Sequence, residues 1–353
     1  MSIGKPDRPI SSTSALARHL GLSRWTISRV LNGHAGVREE TVIRVREAMK
    51  DLGFVPSVMA RGLRGGRTGL IGISFQGFDI PIFVQKVAVL QTALRRVGLR
   101  SLIELTDRDP GLERDVAAHF VSVGVEGIVL VGGPAGSGTG GVVDFLRDRA
   151  IPTVIIDPGV SVPLPTVEMD RGEGMRLILH HLRQLGHRRP VLLGLDRTIA
   201  YGPSRWRGID SVAVEEGLDP ASAFTTILEE TVDAMDYDYG RRLADRVLGL
   251  SPRPTALVAL NDQVAIGAMA RLQESGIEIP RDLSMVGFDN LEVSAHVSPS
   301  LTTIDQRVTV LMQAGIDLLR NQMDSGFGAA VKPVRIKPNL VIRRSTGPAP
   351  RGA

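Results

Sequence analysis

Residues 20–33 read LGLSRWTISRVLNG, and the order of small, branched and polar positions in and just before this stretch decides how the chain begins. A short helix is expected ahead of it, capped by Ser12, Thr13 or Ser14 and running through Ala15, Leu16, Ala17 and Leu20. A hydroxyl at an N-cap satisfies an amide that the first turn leaves free. Gly21 supplies a turn and Ser23 caps a second helix. Ala17 and Gly21, followed by Ile27 and Val30, have the spacing of a helix-turn-helix. The small alanine lets two helices approach, the glycine relieves the tight turn, and the branched side chains fill the junction. Burying Ile27, Val30 and Leu31 turns Trp25, Ser28 and Arg29 outward, at i, i+3 and i+4 of one face.

That outward set suits a DNA major groove. Arginine pairs with guanine edges, serine and threonine reach bases or phosphates, and tryptophan offers apolar contact to a thymine methyl. The candidate contacts are Ser23, Arg24, Trp25, Thr26, Ser28, Arg29 and Asn32. A three-helix bundle with an incidental tryptophan is the plainer alternative. Charge distribution favours nucleic acid. Residues 1–67 carry twelve Lys or Arg against five Asp or Glu, whereas the other 30 basic and 33 acidic residues leave the body slightly negative, within a net charge of +4. A merely solvated surface would spread its charge more evenly.

At 353 residues the chain is long for one core, so two or three folding units are expected. It contains no cysteine, which excludes a disulfide framework and thiolate metal ligands and fits a reducing cytoplasm. No secretion-signal pattern opens the sequence, and no apolar run reaches membrane-spanning length. A cytoplasmic location without membrane contact is the expectation.

A third amphipathic helix, Glu39 to Leu52, ends at Gly53 and leads into FVPSVMARGLRGGRTG, residues 54–69. With TSALARHLGLSRWTISRVLNGHAGV (13–37), PSVMARGLR (56–64), VGFDN (286–290) and SLTTI (300–304), the chain resembles the lac repressor and galactose repressor family of bacterial regulators over nearly its full length. The resemblance implies an all-α helix-turn-helix head at 1–55, a hinge helix and linker at 56–68, and an α/β core at 69–353. That core is expected to be periplasmic-binding-protein-like, with two lobes built on parallel sheets. Lobe one would span about 69–163 and 303–325, and lobe two about 166–300 and 330–345, with crossings near 163–166, 298–304 and 325–332.

In such a family the hinge folds when paired protomers sit on operator DNA and drives a leucine into the minor groove. By position that leucine is Leu63, with Ala60 on the same face. An apolar wedge kinks the duplex, and Arg61, Arg64 and Arg67 would hold nearby phosphates. Gly62 costs about 1 kcal/mol relative to alanine within a helix, so a hinge unstable off DNA is expected. A paired hinge implies a homodimer on a near-palindromic operator. The implied function is a transcription regulator, a repressor, whose operator affinity is set by a small effector between the lobes. Neither enzymatic activity nor a cofactor is expected.

From Gly69 onward short apolar strands alternate with amphipathic helices. Strands are expected at Leu70–Phe75, Arg100–Leu105, Gly127–Val131, Thr153–Ile156, Pro190–Leu195, Ala256–Leu260 and Ser284–Phe288. Repeated βα units mean parallel sheets covered on both faces. Ligands of such sheets sit beyond the carboxyl ends of the strands. That rule selects Phe78, Asp79, Asp157, Asn261, Asp262 and Asp289; the resemblance adds Arg205 and Gln306. Asp262 and Asp170 serve as well as helix N-caps, and Asp157 could close a turn. Arg205 with Asp289 is the stronger pair, because each can form bidentate bonds to vicinal hydroxyls or a carboxylate. With Asp79 added, a sugar or sugar derivative is the leading effector class, and Phe78, Trp206 and Phe288 could stack on its face.

One competing signal is the glycine loop 132–141. Gly136, Gly138 and Gly141 satisfy G-x-G-x-x-G after a strand, with Asp157 at the end of the next, which is the dinucleotide fingerprint of an oxidoreductase. Against it, Gly132 to Ala135 intervene before the turn, and glycine, serine and threonine suit a surface loop without any ligand. A transport solute-binding protein is a third reading, opposed by the basic head and the lack of a signal pattern. His180, His181 and His187 have no zinc spacing, so no metal is expected.

Overall fold

The chain divides by its own contacts into two compact units, residues 1–70 with 121–126 and the remainder. A computed structural model describes residues 12–31, 36–55, 67–133, 141–199, 201–229, 235–326 and 332–350.

In the first unit, α1 (Thr13–Leu20) is capped by Ser12, whose side chain accepts from the Ala15 amide, and ends at Gly21 in the left-handed conformation. Ser23 accepts from the Thr26 amide at 3.0 Å and so opens α2 (Arg24–Leu31). The third helix, α3 (Glu39–Asp51), places two glutamates in its first turn and Lys50 in its last, matching the helix dipole. Leu16, Ala17, Leu20, Ile27, Val30, Val45 and Phe54 form the core, with Leu31 partly buried beside it. The helix-turn-helix spacing thus folds as its residues dictate. Arg67 pairs with Glu126 at 3.0 Å.

The second unit opens on β1 (Leu70–Phe75), then α4 (Pro81–Arg96), β2 (Arg100–Leu105), α5 (Pro110–Val123), β3 (Gly127–Val131), α6 (Val142–Asp148), β4 (Thr153–Ile156) and β5 (Thr166–Met169). There follow α7 (Arg171–Gln184), β6 (Val191–Leu193), α8 (Gly202–Glu215), β7 (Thr226–Ile227), α9 (Tyr237–Leu248), β8 (Ala256–Ala259), α10 (Asp262–Glu274) and β9 (Ser284–Val286). The chain closes with β10 (Thr303–Asp305), α11 (Val308–Ser325), β11 (Val334–Ile336) and β12 (Asn339–Val341).

A six-stranded sheet in the order β11-β5-β4-β3-β1-β2 and a four-stranded sheet in the order β7-β6-β8-β9 give two lobes. Parallel registers such as Ile71 with Gly127 and Val191 with Leu257 leave strands buried on both faces, as their unbroken apolar runs require. The first lobe's core gathers Ile71, Ile73, Phe75, Leu90, Val129 and Leu319; the second divides into clusters around Leu257 and around Ile209. Helices meet closely where side chains are absent: Gly208 of α8 lies on the Gly172 backbone of α7, and Gly267 of α10 on the Tyr237 carbonyl of α9.

Two segments expected in the second lobe belong elsewhere. Residues 166–169 and 334–336 add to the six-stranded sheet, pairing with each other in parallel, and Asp157 donates its amide to the Val167 carbonyl. The first crossing therefore follows Met169, where Asp170 caps α7 by accepting from Glu173. The reason is that Thr166, Val167 and Met169 are buried, a sheet-covered pattern that a free crossing would not bury. The 298–304 crossing leads into β10, whose residues 303–305 run antiparallel to β12. Part of the third crossing, and most of the 132–141 loop, lie outside the described residues.

Candidate nucleic-acid interface and effector site

On the head, Trp25 is 65% exposed and the Arg29 guanidinium lies over its ring, 4.8 Å from the centroid. Arg24 is exposed, while Ser28, Thr26 and Arg29 are half-buried. The Ser23 and Thr26 hydroxyls bond each other at 2.9 Å, so both are engaged within the cap. The sequence expected Arg29 to face outward; the structure lays it against Trp25, which presents ring and cation as one surface. Asn32, Ala60 and Leu63 lie outside the described residues.

In the second unit a buried group of charges joins the two lobes. Asp157, at the end of β4, is fully buried. It takes Lys86 of α4 on one oxygen, and on the other Arg171 of α7 at 2.9 Å and the Met169 amide at 2.9 Å. Burial alone would raise its carboxyl; the Arg171 guanidinium and the Lys86 ammonium outweigh that and hold it well below the usual carboxylate range. Burial lowers Lys86 despite Asp157. Tyr201 donates to the Asp157 carbonyl at 3.1 Å and carries the Arg171 guanidinium 4.1 Å above its ring; burial pushes its hydroxyl up to about 12.

Next to this clasp, Arg205 of α8 is buried over the Phe288 ring and donates to the Leu260 carbonyl at 3.2 Å. Burial lowers it to about 10. Asp289, with φ of 118°, accepts from the Gln306 amide at 2.5 Å. Burial raises it to about 6, against the pull of Arg205 and Lys86. The Nε of Arg171, the Nε of Arg205 and the Oε1 of Gln306 are buried with no hydrogen-bond partner among the described residues. Buried polar atoms are seldom left so, because each costs about 1–3 kcal/mol, and orphaned donors and acceptors together describe a place where a polar ligand fits.

Asp157, Arg205, Asp289 and Gln306 are therefore brought together, and other sequence candidates are not. Phe78 is 68% exposed, set edge-on to Phe75 at 5.2 Å, and Asp79 pairs with Arg108 at 2.8 Å on the surface. Asn261, not Asp262, caps α10: it accepts from the Val264 amide and donates to the Met235 carbonyl. Asp262 instead turns inward, accepting from the Leu291 amide, the Ser294 hydroxyl and the Thr303 hydroxyl; burial raises it to about 7. Trp206 is core, with its indole nitrogen on the Leu195 carbonyl. Lys86, Arg171 and Tyr201 escaped the sequence reading. A signal for Lys86 existed: it interrupts the buried stripe Ile82, Phe83, Val87, Leu90 and Leu94 of α4. A cavity of about 370 Å³ is lined by Arg171 together with Pro158, Ser204, Arg207 and Arg335; apart from Arg171 it touches none of the clustered charges.

Comparison with known proteins agrees with both units. Residues 15–57 match the bacterial regulatory proteins of the lacI family, and residues 179–346 match the periplasmic binding protein-like domain. The HTH-type transcriptional regulator reg1 of Streptomyces lividans is 32% identical over 346 residues, 95% of this chain and 96% of that protein. The chain belongs to the LacI family. The lactose operon repressor of Escherichia coli K12 is 28% identical over 337 residues, 95% of this chain and 90% of that one. The fold agrees with the crystal structure of the lac repressor dimer bound to operator and the anti-inducer ONPF, at a TM-score of 0.81 and 24% identity, covering 96% of this chain and 100% of that one. Membership makes this LacI-family chain a DNA-binding transcription regulator, not an enzyme, which removes the oxidoreductase reading of the glycine loop.

Proposed function

We propose that the chain acts as a cytoplasmic homodimeric repressor on near-palindromic operator DNA and that a small sugar-like effector, held at the lobe junction, controls its affinity. The head, 1–55, would read bases through Arg24, Trp25, Thr26, Ser28, Arg29 and Asn32, with Ser23 supporting the helix start. The segment 56–68, through Ala60 and Leu63, would open the minor groove, and the core, 69–353, would bind effector and pair protomers. Arg205, Asp289 and Gln306 would hold the effector. Asp157 would order Lys86 and Arg171 around it. Phe78, Asp79 and Asn261 are left out of the proposed contacts, since the first two face solvent and the third is used by its helix cap.

The observation that carries this reading is the set of buried, unpartnered atoms on Arg171, Arg205 and Gln306. A ligand that filled them in one lobe arrangement and not in the other would shift the equilibrium between the two. The test selects DNA sites from a random pool with the purified chain, then titrates the selected duplex with and without a panel of pentoses, hexoses and their acids. Wild type, Arg205→Ala and Asp289→Asn are compared beside their melting curves. Variants that bind DNA like wild type and no longer respond to the active compound support the assignment. Variants that respond at wild-type concentrations refute it. Light scattering reporting about two chains supports the dimer.

A further inference from the structure

The charges at the lobe junction do not balance. Lys86, Arg171 and Arg205 are each at least nine-tenths buried, and so are Asp157 and Asp289, leaving three cations against two carboxylates. Both oxygens of Asp157 are filled by Lys86, Arg171 and the Met169 amide. Asp289 receives Gln306, and no ion pair within 4 Å joins it to Arg205 among the described residues. The next carboxyl, Asp262, gives both its oxygens to the neutral donors of Leu291, Ser294 and Thr303 and, among the described residues, forms no ion pair with the three cations. Unneutralised charge in a site withdrawn from water is costly.

The unfilled positions have a definite chemistry. The Nε of Arg171 and the Nε of Arg205 are donors that lack an acceptor, and the Oε1 of Gln306 is an acceptor that lacks a donor. A neutral sugar could offer hydroxyls to all three and would leave the surplus charge in place. A carboxylate offers acceptors and the missing charge together, with the planar geometry that guanidinium groups match. We propose that the effector is a small polyhydroxylated monocarboxylate, its carboxylate received by Arg205 and Arg171 and a hydroxyl donated to Gln306. A doubly charged phosphate ester would overshoot a surplus of one. The inference rests on the lobe junction being the effector site.

The experiment uses the full-length protein and matched probes at equal ionic strength: D-gluconate against D-gluconamide, D-glucuronate against D-glucose, D-galacturonate against D-galactose, and glucose 6-phosphate as a dianion. Melting temperature and calorimetric titration are read at pH 7.5. At least one acid should raise the melting temperature saturably and bind at least tenfold tighter than its neutral counterpart, a difference of about 1.4 kcal/mol. In Lys86→Met, which removes the surplus, the preference should fall below threefold. A neutral counterpart binding within threefold of its acid in wild type overturns the inference. So does glucose 6-phosphate binding as tightly as the best acid, or the failure of every acid to bind. A neutral sugar that binds and releases operator DNA would overturn the charge inference and leave the proposed regulator standing. The gluconate and gluconamide comparison needs no variant, so a Lys86→Met protein that does not fold leaves the test intact.

Discussion

Replacing Asp157 with asparagine should unfold the lobe junction far more than its isosteric size suggests. The carboxylate is fully buried and is the shared acceptor of Lys86 and Arg171, which come from different lobes. Asparagine keeps one carbonyl for the Met169 amide and carries no charge, so two buried cations lose their partner at once. Breaking a buried ion pair from one side costs about 3–5 kcal/mol. At about 2–4 °C per kcal/mol for domains of this scale, the melting temperature should fall by roughly 6–20 °C. Scanning calorimetry measures it. The reasoning also requires that the loss come from stranded charge. Adding Lys86→Met to Asp157→Asn should then restore about 1–3 kcal/mol, a coupling within the usual range for contacting residues. A loss under about 1 kcal/mol from Asp157→Asn would refute the reasoning, and so would simple addition of the two single effects.

On the head, Arg29→Ala should lose roughly 1–3 kcal/mol of specific DNA binding and blur one base position per half-site; unchanged selected sequences would remove α2 from the groove. Gly267→Ala should destabilise the second lobe by about 1–3 kcal/mol, because a methyl there meets the Tyr237 carbonyl; an unaltered urea midpoint would contradict that packing. Asp262 is raised by burial to about 7 from an ordinary 3.8, so the folded state binds its proton more tightly and the group's contribution becomes less favourable as pH rises from about 4 to about 7. Asp262→Asn should therefore gain on wild type between pH 5 and pH 8, by about 3 kcal/mol over the roughly two units below the raised value, at about 1.36 kcal/mol per unit. The lowered His181 and His187 are common to both proteins and cancel, whereas the charge of Asp289 helps to raise Asp262, so the comparison is repeated in an Asp289→Asn background. A pH-independent difference would refute the shift.

Most of the fold was legible because it rests on local rules. Ser12, Gly21 and Ser23 act where capping and turn chemistry place them, and five-residue apolar runs such as Gly127–Val131 became buried parallel strands to the residue. The misplaced strands, 166–169 and 334–336, pair across more than 160 residues of sequence, and no local pattern encodes such a partner. The site divides in the same way. Strand-end reasoning found Asp157 and Asp289, yet it also chose Asn261 and Asp79, whose side chains serve a cap and a surface pair. Lys86 and Arg171 were missed because nothing near them in the sequence names Asp157 as their acceptor, although a lysine within an apolar helical stripe already demanded one.

The placement of that clasp bears on how the regulator would switch. Lys86 and Asp157 stand in the first lobe and Arg171 follows the crossing into the second, so closure is partly held without any ligand. An effector then gains nothing by supplying contacts that both lobe arrangements already have; only interactions unequal between them move the equilibrium. To reverse a hundredfold preference, the differential must reach about 5.5 kcal/mol. Two or three buried atoms satisfied only in the ligand-bound arrangement, at about 1–3 kcal/mol each, are of the required size. The open Nε of Arg171, the open Nε of Arg205 and the open Oε1 of Gln306 would thus supply the switching energy, while the saturated Asp157 clasp would fix where the lobes meet.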